Sequence, residues 1–273
     1  MIFKDIELTD KLIIDKYLNI SPKYNCDFCF TNIYLLKDYY NTQICIEDNT
    51  LYLRYNIENE YLYFIPLGDV NNGIKKLSML YDDLKIINIE IQDLDYFSDD
   101  FEIKNMCNND DYIYLCNDLA HLSGKKYKAK RNLVNSFKKN YEYNVFLIRD
   151  INCTDLDILN EESFIGEKKA ILTALKHLDE LNLDGLCITI NNKIVGITIG
   201  TYSNDTFITH FEKVDYSYSG IAQAINYFMA NYLLNRIKYI NREEDLGIEG
   251  IRNAKISYNP IKMIKSYTAF KKH

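Results

Sequence analysis

The sequence predicts an α/β (α+β) chain built from two modules, each with a mixed, mostly antiparallel sheet. Three observations predict it. Short apolar alternations are separated by Asn- and Asp-rich turn signals, as in hairpins. Stretches with apolar residues at helical spacing interrupt them. The same order, a hairpin sheet followed by a strand–helix–strand return, occurs twice along 273 residues, a length that suits one large or two ordinary domains.

The first meander spans 43–67: Ile44 and Ile46 alternate, Glu47–Thr50 turns the chain, and Leu51, Leu53 and Tyr55 alternate back. After Glu58-Asn-Glu60 comes the apolar run Tyr61–Ile65. Ile74, Leu77, Leu80 and Tyr81 place a helix near 71–84, and strands follow at 86–91 and 110–115. In the second half, Tyr143–Ile148 reads as a strand and 164–181 as a helix. Leu186–Ile190 and Lys193–Ile199 pair across Asn191-Asn192, and Thr206–Phe211 continues the meander. A long helix covers 219–235, Tyr239-Ile240 begins a strand, 247–257 is a helix, and 262–270 is the last strand. The modules are expected at 1–117 and 118–273, joined around 117–140.

Composition narrows the class. Hydrophobic content of 47% and charge of 26% are those of a globular protein, and 10 Gly with 3 Pro leave little for linkers. No run approaches the roughly 20 apolar residues that a membrane-spanning helix needs, so no integral membrane segment is expected. Acids stand where a secretory signal would be apolar, and seven cysteines, an odd number, fit a reducing compartment; the expected location is cytoplasmic. Cys26 and Cys29 form a lone C-x-x-C, and Cys107 and Cys116 have the wrong spacing to complete it, so free thiols and no metal site are expected. His121 and His177 have no partner at metal spacing. No P-loop, G-x-G-x-x-G or Ser-His-Asp signature argues for a kinase, dehydrogenase or hydrolase.

Two segments carry chemistry. From Lys125 to Lys139 there are seven cations (Lys125, Lys126, Lys128, Lys130, Arg131, Lys138, Lys139) and no acid, in a chain of net charge −7. Tyr127, Val134, Phe137 and Tyr141 share one helical face there, leaving the cations to dock phosphates. The second segment, Asn241–Tyr258, gathers Arg242, Glu243, Glu244, Asp245, Glu249, Arg252 and Lys255 around two glycines at a strand-to-helix junction, where open α/β sheets bind ligands. His210 and Glu212 alternate on one strand face, and Glu243 and Asp245 share a face if the chain stays extended past Asn241. These four are the candidate catalytic residues, since acyl transfer needs a base and donors for the oxyanion. Lys125, Lys126, Lys130, Arg131, Asn241, Arg242, Arg252 and Tyr258 are the candidate substrate contacts.

The stretches Asp118–Asn132, His210-Phe-Glu-Lys213, Asn241–Arg252 and Ser257-Tyr-Asn-Pro260 resemble the bacterial family related to the catalytic C-terminal domain of phosphatidylglycerol lysyltransferase. The resemblance covers nearly the whole chain and is densest from 112 to 268. It implies a tandem of two acetyltransferase-like (GNAT) folds and transfer of an aminoacyl group from aminoacyl-tRNA to a lipid, peptide or small-molecule acceptor. It departs in two respects: the multi-helix membrane domain of the lipid lysyltransferases is not in this sequence, and Lys128 and Leu133 stand where compact relatives carry histidines. GNAT proteins bind coenzyme A through a Gln/Arg-x-x-Gly-x-Gly/Ala turn; here Gly220 and Ala222 match, with Ser217 in place of the long polar residue. Acetyl-CoA is therefore the alternative donor, for an N-acetyltransferase, and a non-catalytic binding module is the third reading.

Overall fold

A computed structural model of the chain describes residues 1–150, 158 and 166–273. Contacts divide it into two units, Met1–Asp111 with Glu244–Gly247 and Ile264–His273, and Tyr112–Glu243 with Ile248–Met263.

In chain order the elements of the first unit are β1 (Lys4–Asp5), α1 (Lys11–Ile20), α2 (Phe30–Leu35), α3 (Lys37–Tyr40), β2 (Gln43–Glu47), β3 (Thr50–Ile57) and β4 (Glu60–Phe64). They continue with β5 (Leu67–Gly68), α4 (Val70–Leu80), β6 (Lys85–Ile89) and β7 (Phe101–Asn105). The second run is β8 (Asp111–Leu115), α5 (Cys116–His121), α6 (Lys128–Asn140), β9 (Asn144–Leu147), α7 (Glu167–Lys176), β10 (Leu183–Ile190), β11 (Lys193–Ser203) and β12 (Thr206–Val214). It ends with α8 (Ile221–Leu233), β13 (Tyr239–Asn241), α9 (Glu249–Ile256), β14 (Lys262–Ile264) and β15 (Tyr267–Lys271). Residues 164 and 165, the expected start of the 164–181 helix, lie outside the described residues.

Each sheet repeats one plan. Three antiparallel strands, β2-β3-β4 or β10-β11-β12, are followed by a helix and a strand parallel to the third: β4 with β6 after α4, β12 with β13 after α8. The hairpins turn at Asp48-Asn49, Glu58-Asn59 and Asn191-Asn192, all left-handed with φ between 50° and 68°, as two-residue turns matched to strand twist require. The sequence expectation placed these hairpins at the same turns.

The last strand differs from expectation. The 262–270 stretch is two strands: β14 belongs to the second sheet, whereas β15 pairs with β6 and β7 of the first. Likewise β8 pairs with β13 of the second sheet. Contacts therefore do not follow the expected 1–117 and 118–273 division, because the neighbour of each parallel strand comes from outside its own run of sequence. The periodicity also missed β7 and the three N-terminal helices.

In the second unit the core lies between the sheet and α5, α6 and α8. It joins Tyr112, Tyr114, Leu186, Ile188 and Phe207 to Tyr127, Val134, Phe137, Ala224, Ile225 and Met229. β10 is buried along its whole length, so its near-continuous apolar run reads as a strand covered on both faces. α6 buries Val134 and Phe137, with Tyr127 just before it, and leaves Lys125, Lys126, Lys128, Lys138 and Lys139 exposed, the partition expected of an amphipathic surface helix.

Cys116, 1% exposed, donates its S–H to the Ala230 carbonyl at 3.3 Å, and burial pushes its thiol up to about 11 from an ordinary 9.0. The folded state thus holds this proton more tightly than the unfolded one. The contribution is complete below pH 9 and is lost as pH rises towards about 11. Urea unfolding of wild type and Cys116→Ala at pH 8 and pH 11 should show their stability difference shrinking by about 2 kcal/mol; a constant difference would contradict this.

Candidate functional site

β12 is parallel to β13, with Ile208 opposite Asn241. Just beyond that point each strand breaks its regular path. On β12, Phe211 faces Ile199 and Thr209 faces Gly200, so His210 is the extra residue of a β-bulge. Gly200 is required there: a Cβ would stand 2.1 Å from the Ile208 carbonyl oxygen and 2.5 Å from the Phe207 ring. A bulge re-aims a side chain and leaves one residue outside the ladder.

On the other strand, Asn241 is fully buried and its side-chain oxygen accepts the Glu243 N–H at 2.7 Å. This Asx turn holds Glu243 at φ 55°, a left-handed conformation that a non-glycine residue adopts at a cost. The segment is braced further. Arg242 N–H donates to Tyr112 O at 3.0 Å, Tyr112 N–H donates to Glu243 O at 3.2 Å, and the Lys255 ammonium donates to the carbonyls of Arg242 (2.5 Å) and Glu243 (3.1 Å).

The two irregularities meet. His210 Nδ1 and Glu243 Oε1 are 2.8 Å apart, with the imidazole 1% exposed. A carboxylate only accepts, so Nδ1 carries the proton. Nε2 is buried and has no hydrogen-bond partner among the described residues. In the neutral ring it is a lone pair aimed at no donor among the described residues. Beside this dyad, Arg242 Nη2 donates to both Glu212 oxygens at 3.2 and 3.1 Å, and Asn226 Nδ2 donates to Glu212 Oε1 at 2.8 Å. The Arg242 guanidinium lies 5.1 Å from the Tyr258 ring centroid, and Lys130 Nζ lies 4.3 Å from the same ring. Tyr127 donates its hydroxyl to Tyr258 O at 3.1 Å. Burial, with Arg242 opposing it, pushes the Tyr258 hydroxyl well above the ordinary tyrosine value, and its oxygen too has no partner among the described residues. Burial, reinforced by Arg242, holds Lys130 below the usual lysine value.

Of the expected residues, His210, Glu212, Asn241, Arg242, Glu243, Tyr258 and Lys130 are therefore brought into one connected set. Others are not. The chain does not stay extended past Asn241, so Glu243 and Asp245 do not share a face. Asp245 belongs to the first unit, is fully buried, and accepts the Gly247 N–H at 2.8 Å. Neither acid caps α9, whose N-cap is Ile248 without a side-chain bond. Arg131 donates to the carbonyls of Leu122 and Gly124, ending α5, and Lys126 pairs with Asp118 at 2.9 Å. Lys125 is exposed before α6, and Arg252 is half-buried on α9. The sequence reading missed Asn226 as a partner of this set, and it gathered Lys255 into the charged segment without a role. Asn226 is one of two Asn inside the mostly apolar α8, which was the available signal for it; Lys255 acts on backbone carbonyls, which no pattern of residue types announces.

The turn before α8 is occupied by its own bonds. Ser217 N–H donates to the Asp215 carboxylate (2.9 Å), Tyr218 N–H to Asp215 O (3.1 Å), Ser219 N–H to the Tyr141 hydroxyl (3.1 Å) and Ile221 N–H to Tyr218 O (3.2 Å). Asp215 thereby puts a carboxylate into this turn. Gly220, at φ 83°, has the Leu133 carbonyl oxygen 2.5 Å from where a Cβ would be, and Ala222 is half-buried on the first turn of α8. The glycine is explained by its approach to α6. As for metals, Cys26, Asp111 and Glu244 offer ligand atoms within 4.8 Å of one another in the first unit. There Asp111 already accepts the Cys26 N–H at 2.7 Å and is 3.2 Å from its sulfur.

Comparison with known proteins gives the family and the fold. The family model described as phosphatidylglycerol lysyltransferase, C-terminal, matches residues 18–270. The chain is 27% identical over 172 residues to an uncharacterised protein of Mycoplasmoides gallisepticum, covering 57% of this chain and 54% of that one, so the match spans about half the length of that relative. A solved conserved protein of unknown function from Bacteroides thetaiotaomicron is 33% identical, with 99% of both chains covered and a TM-score of 0.87. L-PGS from Bacillus licheniformis is 14% identical, with 97% of this chain and 92% of that one covered, at a TM-score of 0.67. A tandem GNAT protein from the clavulanic acid biosynthesis pathway, 8% identical, covers 100% of this chain and 99% of its own at 0.53. The fold is that of tandem GNAT-like modules.

If Gly220 serves packing against α6, Gly220→Ala should lower stability by about 2 kcal/mol with no ligand present, read by urea unfolding. An unperturbed variant would return Gly220 to the list of ligand contacts.

Proposed function

This chain belongs to the phosphatidylglycerol lysyltransferase C-terminal family, and on that footing we propose that it transfers an aminoacyl or acyl group from a phosphate-bearing donor to an amine or hydroxyl acceptor. The donor class is aminoacyl-tRNA. The observation that carries the reading is the His210–Glu243 pair, with Nδ1 tied to a carboxylate and Nε2 unpartnered. That is the arrangement a general base requires: a ring fixed in one tautomer with its lone pair kept for the substrate.

In the reaction, His210 Nε2 takes the proton of the acceptor N–H or O–H as that atom attacks the ester carbonyl. Glu243 stabilises the imidazolium that forms. The tetrahedral intermediate collapses with loss of the donor oxygen, which receives the same proton from Nε2, so the ring returns to its starting state. The products are the acylated acceptor and the free donor hydroxyl. The bulge at His210 leaves backbone outside the ladder, which makes it the source of oxyanion hydrogen bonds within this reading. The exposed lysines of α6 supply the charge for docking a polyanion. The occupied turn before α8 speaks for such a donor over acetyl-CoA.

The test is loss of radiolabelled amino acid from charged tRNA, followed with a panel of amine and hydroxyl acceptors. Glu243→Gln should lower the protein-dependent rate by about 10²-fold or more, the size of a correctly placed base, with binding of the RNA unchanged. Contact with about five single-strand-like phosphates predicts a log–log salt slope of binding near −3.5. A full rate in Glu243→Gln, or no protein-dependent transfer with any acceptor, would contradict the proposal.

A further inference from the structure

β7 is an outer strand of the first sheet and, among the described residues, the longest outer strand of either sheet. Its inner neighbour is β15, in an unbroken antiparallel register from Tyr267 opposite Asn105 to Lys271 opposite Phe101. The bonds at its two ends fix which way its backbone points. Lys272 N–H donates to Asp100 O at 2.8 Å, and Met106 N–H donates to Ser266 O at 2.8 Å, so the even-numbered residues bond to β15. The alternation of an antiparallel ladder then turns the N–H and C=O of Phe101, Ile103 and Asn105 outward. Phe101 N–H is taken by Ser98 O at 3.1 Å. The outward groups of Ile103 and Asn105 lie in a stretch, Glu102–Asn105, that is exposed throughout.

A second observation comes from the side chains of this edge. Glu102 and Lys104 lie on one face, with their charged atoms 3.2 Å apart, and Ile103, 36% exposed, lies on the other. Charges on an outer strand ordinarily keep other strands away. The order Glu-Ile-Lys differs, because it is complementary to its own reverse. Antiparallel strands related by a two-fold axis through Ile103 put Glu102 opposite Lys104 of the second copy, and Lys104 opposite its Glu102. An axis through Glu102 or Lys104 would instead put like charges opposite each other, which is destabilising. The backbone agrees with the first register. Ile103 N–H and C=O meet those of Ile103 in the second copy, and each Asn105 N–H meets a Phe101 carbonyl, the outward group that Ser98 leaves open.

We propose that β7 docks a second copy of this chain, joining two eight-stranded sheets edge to edge across a two-fold axis through Ile103. A symmetric contact of this kind uses the same patch on both copies and closes on itself. It stands independently of the transfer reaction proposed above. A single strand pair buries less than a standard interface, so the association is weak and depends on concentration.

The experiment is sedimentation velocity of the full chain at concentrations up to about 0.5 mM, the range in which a contact below standard size populates its dimer. A reversible monomer–dimer equilibrium is expected. Glu102→Lys and Lys104→Glu should each weaken it by about fivefold or more, since each places like charges opposite one another at both symmetric positions. The double swap, Glu102→Lys with Lys104→Glu, should restore it, which separates charge from folding. Ile103→Pro should abolish it without removing a bond to β15, because the Ile103 N–H points outward. A monomer at every concentration, a dimer indifferent to Ile103→Pro, or single reversals that the double swap fails to rescue would overturn the proposal.

Discussion

The hydrogen bond from the Glu243 N–H to the buried side chain of Asn241, 2.7 Å long, is the constraint on which the site depends. It turns the chain at the end of β13 and holds Glu243 in a left-handed conformation that glycine would adopt at less cost. Without that turn, Glu243 would follow the alternation of the strand and its carboxylate would not meet the His210 ring. Tyr112 and Lys255 fasten the same two residues through their backbone. The carboxylate that pairs with His210 is thus placed by main-chain geometry.

The opposite wall answers with its own irregularity. His210 is an extra residue in β12, and Gly200 is the residue that lets β11 pass close to it. The parallel pairing of β12 and β13, imposed by the crossover through α8, brings both irregular ends to the same edge of the sheet. Ligand sites at strand ends of this kind follow from topology. Around the dyad, Arg242, Glu212, Asn226, Tyr258 and Lys130 form a connected set in which, among the described residues, each charge but Lys130 has an opposite partner.

Much of this was legible in the residues, for identifiable reasons. The hairpins announced themselves because Asp48-Asn49 and Asn191-Asn192 can occupy left-handed turns. The amphipathic α6 was readable because Tyr127, Val134 and Phe137 recur on one face. His210, Glu212, Arg242 and Glu243 were singled out by type and clustering, and they do assemble. The pairing among them was not legible. An extended chain past Asn241 would have joined Glu243 to Asp245, and only the Asx turn sends one to His210 and leaves the other buried against Gly247. The exchange of β15 into the first sheet was equally hidden, since strand pairing over such separations leaves no local periodicity. Gly220 was read as a phosphate contact because a glycine before a helix is compatible with both a ligand and a close neighbour; here the neighbour is Leu133.

Glu243 fixes His210 with its proton on Nδ1 and its lone pair on Nε2. Long-range proton–nitrogen NMR of the imidazole rings tests it most directly, since the chain has four histidines and a His210→Gln spectrum assigns the one in question. At a pH where the ring is neutral, His210 should show a protonated Nδ1 and a bare Nε2, with that tautomer lost in Glu243→Ala, which leaves no acceptor for the Nδ1 proton. A ring protonated on Nε2 in the wild type, or a tautomer indifferent to Glu243, would contradict it.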